Sequence, residues 1–174
     1  MGKAITIGVL ARDSGALHAA LFVDAGGANT GSVRYAFERL DIDAALVTDA
    51  ASIRIADRVI LPGVGTAAQV MARLQQLDLV EVLRTLERPL LGICVGMQLL
   101  FETSEEGDVA GLGLLPGRVS RLRGGPGLRV PHMGWNGAWG AYADVAADKA
   151  ALVVPEEDYY FVHSYAALLG QAGE

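Results

Sequence analysis

Short apolar runs alternate with amphipathic stretches through the first part of the chain. The apolar runs predict strands that end at turn residues, and the segments between them carry apolar side chains at the spacing of one helix face. Strands that alternate with helices of about ten residues indicate an α/β fold, a three-layer arrangement in which helices cover both faces of a mostly parallel sheet. The predicted strands cover residues 5–11, 20–23, 44–47, 58–61 and 89–93.

The last of these strands is apolar without alternation, so we expect it to be buried on both faces. Helices are predicted over 32–40, over 70–86 as one helical stretch, and over 95–101. Beyond Glu102 the pattern changes. We expect a solvated acidic loop, irregular or antiparallel strands, a glycine-rich loop and a final aromatic strand, at 104–108, 112–122, 123–127 and 159–165.

Composition narrows the class of protein. The chain has 174 residues, 52% of them hydrophobic and 20% charged, which suits a single domain over residues 1–174 with its own core. The net charge of −6 argues against nucleic-acid binding. The sequence has no charge-free apolar stretch of membrane-spanning length, and no metal site or cofactor is predicted. A single cysteine without an export signal suggests the cytoplasm.

The strongest chemical signal is a cysteine between two glycines, in the segment Gly92-Ile-Cys94-Val-Gly96. The segment follows a predicted strand and opens a predicted helix, like the Gly-x-Ser-x-Gly turn that carries a nucleophile. Glycines are needed there because a Cβ atom would collide with neighbouring backbone. The turn should lift the sulfur above the sheet edge, and the helix N-terminus should favour the thiolate. The pattern predicts a nucleophilic Cys94, and a buried, inert cysteine is the alternative.

Two polar residues follow at helical spacing, Gln98 and Glu102, which places them on the sulfur side of the predicted helix. Such side chains suit substrate contacts, and a surface stripe would have the same spacing. A second glycine turn, Gly63-Val64-Gly65, follows another strand after Pro62, and it could point an N–H into a cleft. Ligands of open α/β sheets bind outside the carboxyl ends of the strands, where both turns should lie.

Together these segments resemble the class I, triad-type glutamine amidotransferases. Two further stretches, Val130-Pro-His-Met-Gly-Trp-Asn136 and Tyr160-Phe-Val-His-Ser-Tyr165, are similar to the glutaminase subunits of imidazole glycerol phosphate synthases, which serve histidine biosynthesis. The resemblance covers about residues 20–166. Many glutaminases share the cysteine segment, whereas the two later stretches point to this narrower group.

The resemblance implies that Cys94 attacks the side-chain amide of glutamine, forms a glutamyl thioester and releases ammonia. The ammonia would pass to a (β/α)8-barrel cyclase subunit, the partner in a heterodimer. The residues that the resemblance assigns to oxyanion and substrate binding are Gly63, Val64, Gly65, Gln98, Glu102, Ser164 and Tyr165. Those that it assigns to the partner interface are Asn29, Pro131, Met133, Trp135 and Tyr160. From composition alone, the two interface aromatics could equally be ordinary core or surface residues.

The sequence departs from the family pattern at the catalytic base. Family members activate the cysteine with a histidine in a His-Pro-Glu segment, and this sequence has no such segment. Its histidines are His18, His132 and His163, of which the last two match other family positions. We therefore expect a C-terminal end that is incomplete relative to the family and little or no glutaminase activity from the chain as given. Residues 1–19 should be an extra N-terminal segment.

Two other interpretations stay open. A different class I glutaminase, such as that of pyridoxal phosphate synthase, would share the cysteine turn, although the Pro-His-Met-Gly-Trp-Asn stretch argues against it. A non-catalytic subunit would keep the surface that faces the cyclase and lack the chemistry.

Overall fold

A five-stranded sheet forms the centre of the protein. The computed structural model describes residues 8–11, 20–25, 30–39, 44–137 and 158–167. The strands of the central sheet are β1 (Gly8–Ala11), β2 (Ala20–Val23), β3 (Ala44–Val47), β4 (Arg58–Gly63) and β5 (Leu90–Cys94). Their order is β1-β5-β4-β2-β3, with β1 antiparallel to β5 and the other neighbours parallel. The prediction of a mostly parallel sheet is therefore confirmed.

Helices lie on both faces of this sheet. The described residues form α1 (Thr30–Glu38), α2 (Ala50–Ile55), α3 (Ala67–Gln76), α4 (Val80–Arg84) and α5 (Val95–Gln98). Helices α2 to α5 contribute to the larger apolar cluster, which is centred on buried residues such as Val59 and Leu61 of β4. On the opposite face, Phe37 of α1 packs edge-on against Phe22 of β2, with ring centroids 5.1 Å apart. The three-layer α/β architecture is confirmed.

The stretch predicted as one helix over 70–86 is two helices, and that prediction is wrong. Asp78 adopts a left-handed φ of 54° between α3 and α4, which reverses the local winding of the chain. Helix α3 begins with a capping box in which the Thr66 side chain accepts the Gln69 N–H and the Gln69 side chain accepts the Thr66 N–H. Buried Leu79 then leads into α4.

Strand β4 runs on through Pro62 and Gly63, where we expected it to stop. The pairing between β2 and β4 ends at Ile60, so the missing N–H of Pro62 costs no hydrogen bond on that side, while β5 continues to pair as far as Gly63. Strand β5 is also less buried than expected. Leu91 and Ile93 are only half-buried, and they face the smaller apolar cluster on the α1 side.

Beyond α5 the described residues form two more sheets. Strands β6 (Phe101–Ser104), β7 (Val109–Ala110), β8 (Leu115–Arg121) and β11 (Tyr165–Ala167) are ordered β11-β8-β6-β7. Strands β9 (His132–Gly137) and β10 (Asp158–His163) form an antiparallel ribbon. Two predictions are corrected here: the helix expected over 95–101 ends at Gln98, and the final aromatic strand breaks at Ser164. Strand β8 is antiparallel to β11, as expected, and parallel to β6.

Candidate active site

Cys94 occupies a sharp turn between β5 and α5. Its backbone has φ 56° and ψ −117°, a conformation that costs a non-glycine residue free energy and is stable only where the surrounding structure imposes it. Flanking glycines make that possible. A Cβ atom on Gly92 would lie 2.6 Å from Met97 Cα, and one on Gly96 would lie 1.8 Å from the carbonyl oxygen of Leu61. The strand–turn–helix geometry that the sequence indicates is therefore present.

The predicted glycine turn lies beside the cysteine. Gly63 pairs with Cys94 in the register of β4 and β5, and a Cβ atom on Gly63 would lie 2.6 Å from the Gly96 backbone nitrogen. Gly65 has a φ of 91°, which favours glycine. The turn then runs directly into the capped start of α3. Two strand ends thus bring Gly63 next to Cys94, as expected for this edge of the sheet.

The local environment disfavours the thiolate. Desolvation raises the pKa of the Cys94 thiol above its ordinary value, a hydrogen bond from the Val95 N–H lowers it, and the negative field of Glu106 raises it further. Cys94 is exposed as a residue, and the desolvation arises because protein atoms crowd the sulfur. The N–H of Val95, the first residue of α5, favours the thiolate as expected, but desolvation and the charge of Glu106 outweigh it.

Glu106 is a candidate site residue that sequence reasoning missed. We assigned it to a solvated acidic loop, yet among the described residues its Oε2 atom is buried and has no hydrogen-bond partner. Its backbone N–H donates to Ser104 Oγ at 3.2 Å, and Ser104 itself is buried. No local sequence signal separates Glu106 from its exposed neighbour Glu105, because both stand in the same acidic run.

The two polar residues expected beside the sulfur have different surroundings. Gln98 is the last residue of α5 and is buried, and its Oε1 accepts a hydrogen bond of 3.1 Å from Ser104 Oγ. Glu102 lies on β6 instead of a helix and is exposed, and its Oε2 accepts the Gly117 N–H at 3.0 Å. The predicted shared helix face is therefore wrong for Glu102, because α5 ends four residues before it.

Ser164 and Tyr165 lie at the β11 edge of the second sheet. Ser164 occupies the break between β10 and β11, and its carbonyl oxygen accepts the Leu122 N–H at 2.8 Å. Tyr165 pairs with Arg121 of β8, and β8 in turn pairs with β6. Their predicted contact with glutamine stays a prediction.

The described histidines, His132 and His163, lie on the β9–β10 ribbon and form hydrogen bonds there. His132 Nε2 lies 3.0 Å from Asn136 Nδ2, and His163 Nδ1 donates to the Tyr165 carbonyl oxygen at 2.9 Å. The two imidazole rings also pack edge-on, with centroids 5.5 Å apart. His18 lies outside the described residues. That neither described histidine is the base for Cys94 stays a prediction.

One face of the same ribbon is apolar and exposed. Trp135 and Tyr160 stand directly opposite each other, with ring centroids 5.4 Å apart, and Met133 stands opposite Val162. Met133 and Val162 are each 60% exposed and Trp135 is 47% exposed. We call these four residues the ribbon patch. Pro131 is exposed just before β9, and Asn29 lies outside the described residues. Val162 was missed, although its alternation with Tyr160 on one strand could have indicated it.

Over the described ranges, no group of three or more His, Cys, Asp and Glu side chains is placed to hold a metal ion. No helix in the described part of the chain is long and apolar enough to cross a membrane.

The protein has a strained cysteine turn at the carboxyl edge of an α/β sheet, with a glycine turn beside it. Comparison with known families identifies the class of protein that has this arrangement. The family profile "Glutamine amidotransferase class-I" matches residues 21–169, and the chain belongs to this family.

Individual relatives narrow the group. The chain is 57% identical over 151 residues to the imidazole glycerol phosphate synthase subunit HisH of Xylella fastidiosa (strain Temecula1), a match that covers 86% of this chain and 74% of the relative. It is 58% identical over 147 residues to the same subunit of Xanthomonas axonopodis pv. citri (strain 306), covering 83% and 71% of the two chains.

Proposed function

We propose that this protein is the glutamine amidotransferase subunit of an imidazole glycerol phosphate synthase, and that Cys94 is its nucleophile. The observation that carries the proposal is the strained Cys94 turn, locked by glycine contacts against β4 in a chain of the class I family. The identity to HisH subunits supports the place in histidine biosynthesis. The single cysteine of the sequence suits a reducing compartment, and we place the protein in the cytoplasm.

The chemistry begins with loss of the thiol proton. The Cys94 thiolate then attacks the carbonyl carbon of the glutamine side-chain amide, and the negative charge moves to the amide oxygen. Backbone N–H groups of residues 63–65 are the proposed oxyanion donors, because this turn lies beside Cys94. Collapse of the intermediate breaks the C–N bond, the nitrogen takes a proton and leaves as ammonia, and water later hydrolyses the thioester to glutamate and free thiol.

The buried Oε2 atom of Glu106 suits the α-ammonium of glutamine. An unpartnered buried carboxylate oxygen is costly, and a ligand cation would satisfy it. Gln98 lies one helical turn after the nucleophile and is tied through Ser104 to the Glu106 backbone, so it can support the same subsite. Glu102, Ser164 and Tyr165 keep their proposed substrate roles on the family resemblance alone.

The ribbon patch is the proposed docking surface for the cyclase subunit, a (β/α)8 barrel. Its exposed aromatic and aliphatic side chains form a compact apolar surface of the kind that partner subunits cover. Pro131 and Asn29 are proposed to extend this interface. When the cyclase covers the ribbon patch, the apolar contact would also exclude water from the path that ammonia takes from Cys94 to the cyclase.

Transfer of the glutamine amide nitrogen tests the proposal. The protein is mixed with the cyclase subunit, the cyclase substrate and glutamine labelled with ¹⁵N in its amide, and the imidazole product is analysed by mass spectrometry. We expect ¹⁵N in the product with the wild type and none with Cys94→Ala. The resemblance assigns none of the histidines of this sequence to the base, so we expect transfer to be about 10²–10⁴-fold slower than base-assisted catalysis. Equal transfer by the wild type and by Cys94→Ala would contradict the proposal.

A further inference from the structure

Strand β1 lies outside the part of the chain that matches the family profile. The profile matches residues 21–169, and β1 covers Gly8–Ala11. The segment expected as an N-terminal extra piece thus contributes a strand to the central sheet, at its edge. Neither the α/β fold class nor the chemistry proposed for Cys94 gives this strand a role.

The place that β1 occupies is next to the strand that carries the nucleophile. The four parallel strands are ordered β3-β2-β4-β5, which corresponds to the first four places of the doubly wound order 2-1-3-4-5. The fifth place, beside β5, is taken by β1, which runs in the opposite direction. Strand β5 is therefore an inner strand, whereas within the described residues of the family match it would have β4 as its only neighbour.

The pairing with β1 reaches the residue that precedes the strained turn. Strand β4 pairs with β5 from Leu90 to Cys94, and β1 pairs with it from Leu90 to Ile93, with Gly8 opposite Ile93. The φ of 56° at Cys94 is stable only where the surrounding structure imposes it. Contacts with α5 and β4 constrain the turn itself, and β1 constrains the strand that leads into the turn from its other edge.

We propose that β1 is a positioning strand for the nucleophile: its pairing with β5 holds the backbone before Cys94, so that the strained turn presents the sulfur to a bound glutamine. This inference rests on the proposed glutaminase function and assigns part of its geometry to a segment outside the family match. When β1 is unpaired, β5 becomes an edge strand and the turn relaxes toward an ordinary backbone conformation. Glutamine still binds, but the sulfur no longer lies where it attacks the amide carbon.

Hydrogen exchange tests the pairing in the wild-type protein. Successive N–H groups of an inner strand point alternately to its two neighbours, so residues 90–93 direct two N–H groups to β4 and two to β1. We expect slow exchange at all four residues, followed by NMR of the ¹⁵N-labelled protein. Fast exchange at every second residue is the signature of a free β5 edge, and it would overturn the proposal.

Two proline variants separate the pairing from the mere presence of the strand. Val9 and Leu10 are consecutive in β1, so one of their N–H groups points to β5 and the other points away from the sheet. An edge strand tolerates proline only where the lost N–H faces outward. Val9→Pro and Leu10→Pro are therefore matched controls for each other, and exchange at residues 90–93 identifies the variant in which the pairing is broken.

The kinetics of covalent labelling report the position of the sulfur. A glutamine analogue with a diazoketone in place of the amide is added to the complex with the cyclase subunit, and labelling of Cys94 is followed by mass spectrometry over a range of analogue concentrations. In the variant with broken pairing, we expect the maximal labelling rate to fall about tenfold, because a small misplacement of reacting atoms is costly. The half-saturating concentration should not change, and the other variant should match the wild type in both values.

The two kinetic values distinguish positioning from loss of structure. Partial unfolding raises the half-saturating concentration and leaves the maximal rate unchanged, because saturating analogue draws the protein into the folded state. That result in the variant with broken pairing would overturn the proposal, and so would equal maximal rates in the two variants. If the wild type shows no saturable labelling, the proposed glutaminase function fails; if it does and the two variants match it, only the role of β1 fails.

Discussion

Replacing Gly96 with alanine tests how the cysteine turn is held against the sheet. Gly96 is buried in α5, and an added Cβ atom would lie 1.8 Å from the Leu61 carbonyl oxygen, 2.8 Å from the Leu61 carbonyl carbon and 3.2 Å from Leu61 Cγ. The nearest obstacle is backbone of a central strand, which cannot rotate away as a side chain can. Ordinary contact begins at about 3.4 Å, so helix and strand must separate by about 1.6 Å.

The cost follows from the tight packing of this interface. Overpacking a core by one methyl group usually costs about 1–3 kcal/mol, and a backbone clash of this size belongs at the upper end. At a urea dependence of about 2 kcal/mol/M, a loss of about 3 kcal/mol lowers the unfolding midpoint by about 1.5 M. The same displacement moves Cys94, because it is the residue immediately before α5.

Urea unfolding and thiol alkylation together measure both effects. Gly125→Ala is the matched control, because a Cβ atom on Gly125 meets no atom within 4 Å. We expect a midpoint lower by about 1.5 M and an altered Cys94 alkylation rate in Gly96→Ala, and near-wild-type values in Gly125→Ala. Equal midpoints for the two variants would refute the close approach of α5 and β4 from which the site is built.

Three further predictions concern the capping box, the support of the second sheet and the partner surface. Thr66→Ala should lower the free energy of unfolding by about 1 kcal/mol in urea melts, because the Gln69 N–H loses its acceptor, whereas Thr66→Ser should not. Arg84→Met should lower the free energy of unfolding by about 1–2 kcal/mol, because the Arg84 guanidinium donates to the carbonyl oxygens of residues 111 and 112. Glu81 is the exposed ion-pair partner of Arg84, and a loss in Arg84→Met no larger than that in Glu81→Gln would contradict this prediction. Trp135→Ser should weaken cyclase binding, measured by calorimetry, by about tenfold or more and leave the unfolding midpoint unchanged. Leu128 is an exposed residue outside the ribbon patch, and equal weakening by Leu128→Ser would argue against the ribbon patch as the binding surface.

The sequence was most informative where the chemistry is local. The turn at Cys94 could be predicted because glycines two positions to either side leave the chain few other conformations after an apolar strand. The strands of the central sheet could be predicted because each apolar run ends at turn residues. Pairing of β4 with β5 then brings Gly63 to Cys94, which the general rule for open α/β sheets anticipates.

The sequence was least informative where tertiary packing decides the local structure. The apolar pattern after Cys94 continues at helical spacing, but Leu99 and Leu100 are buried in the core and the chain then leaves as β6, so Glu102 moves away from the helix. Glu106 could not be singled out, because its buried position depends on contacts with Ser104 and on the packing of the following glycine against α3. Such contacts join elements distant in sequence and have no local signature.

Covalent trapping tests the central claim, that Cys94 attacks a bound glutamine, most directly. A glutamine analogue with a diazoketone in place of the amide is incubated with the protein and the cyclase subunit, and the modified peptide is identified by mass spectrometry. We predict one adduct, on Cys94, that forms more slowly in the presence of glutamine and is absent in Cys94→Ala. Labelling of another residue, or labelling of Cys94 at the same rate with and without glutamine, would contradict the account.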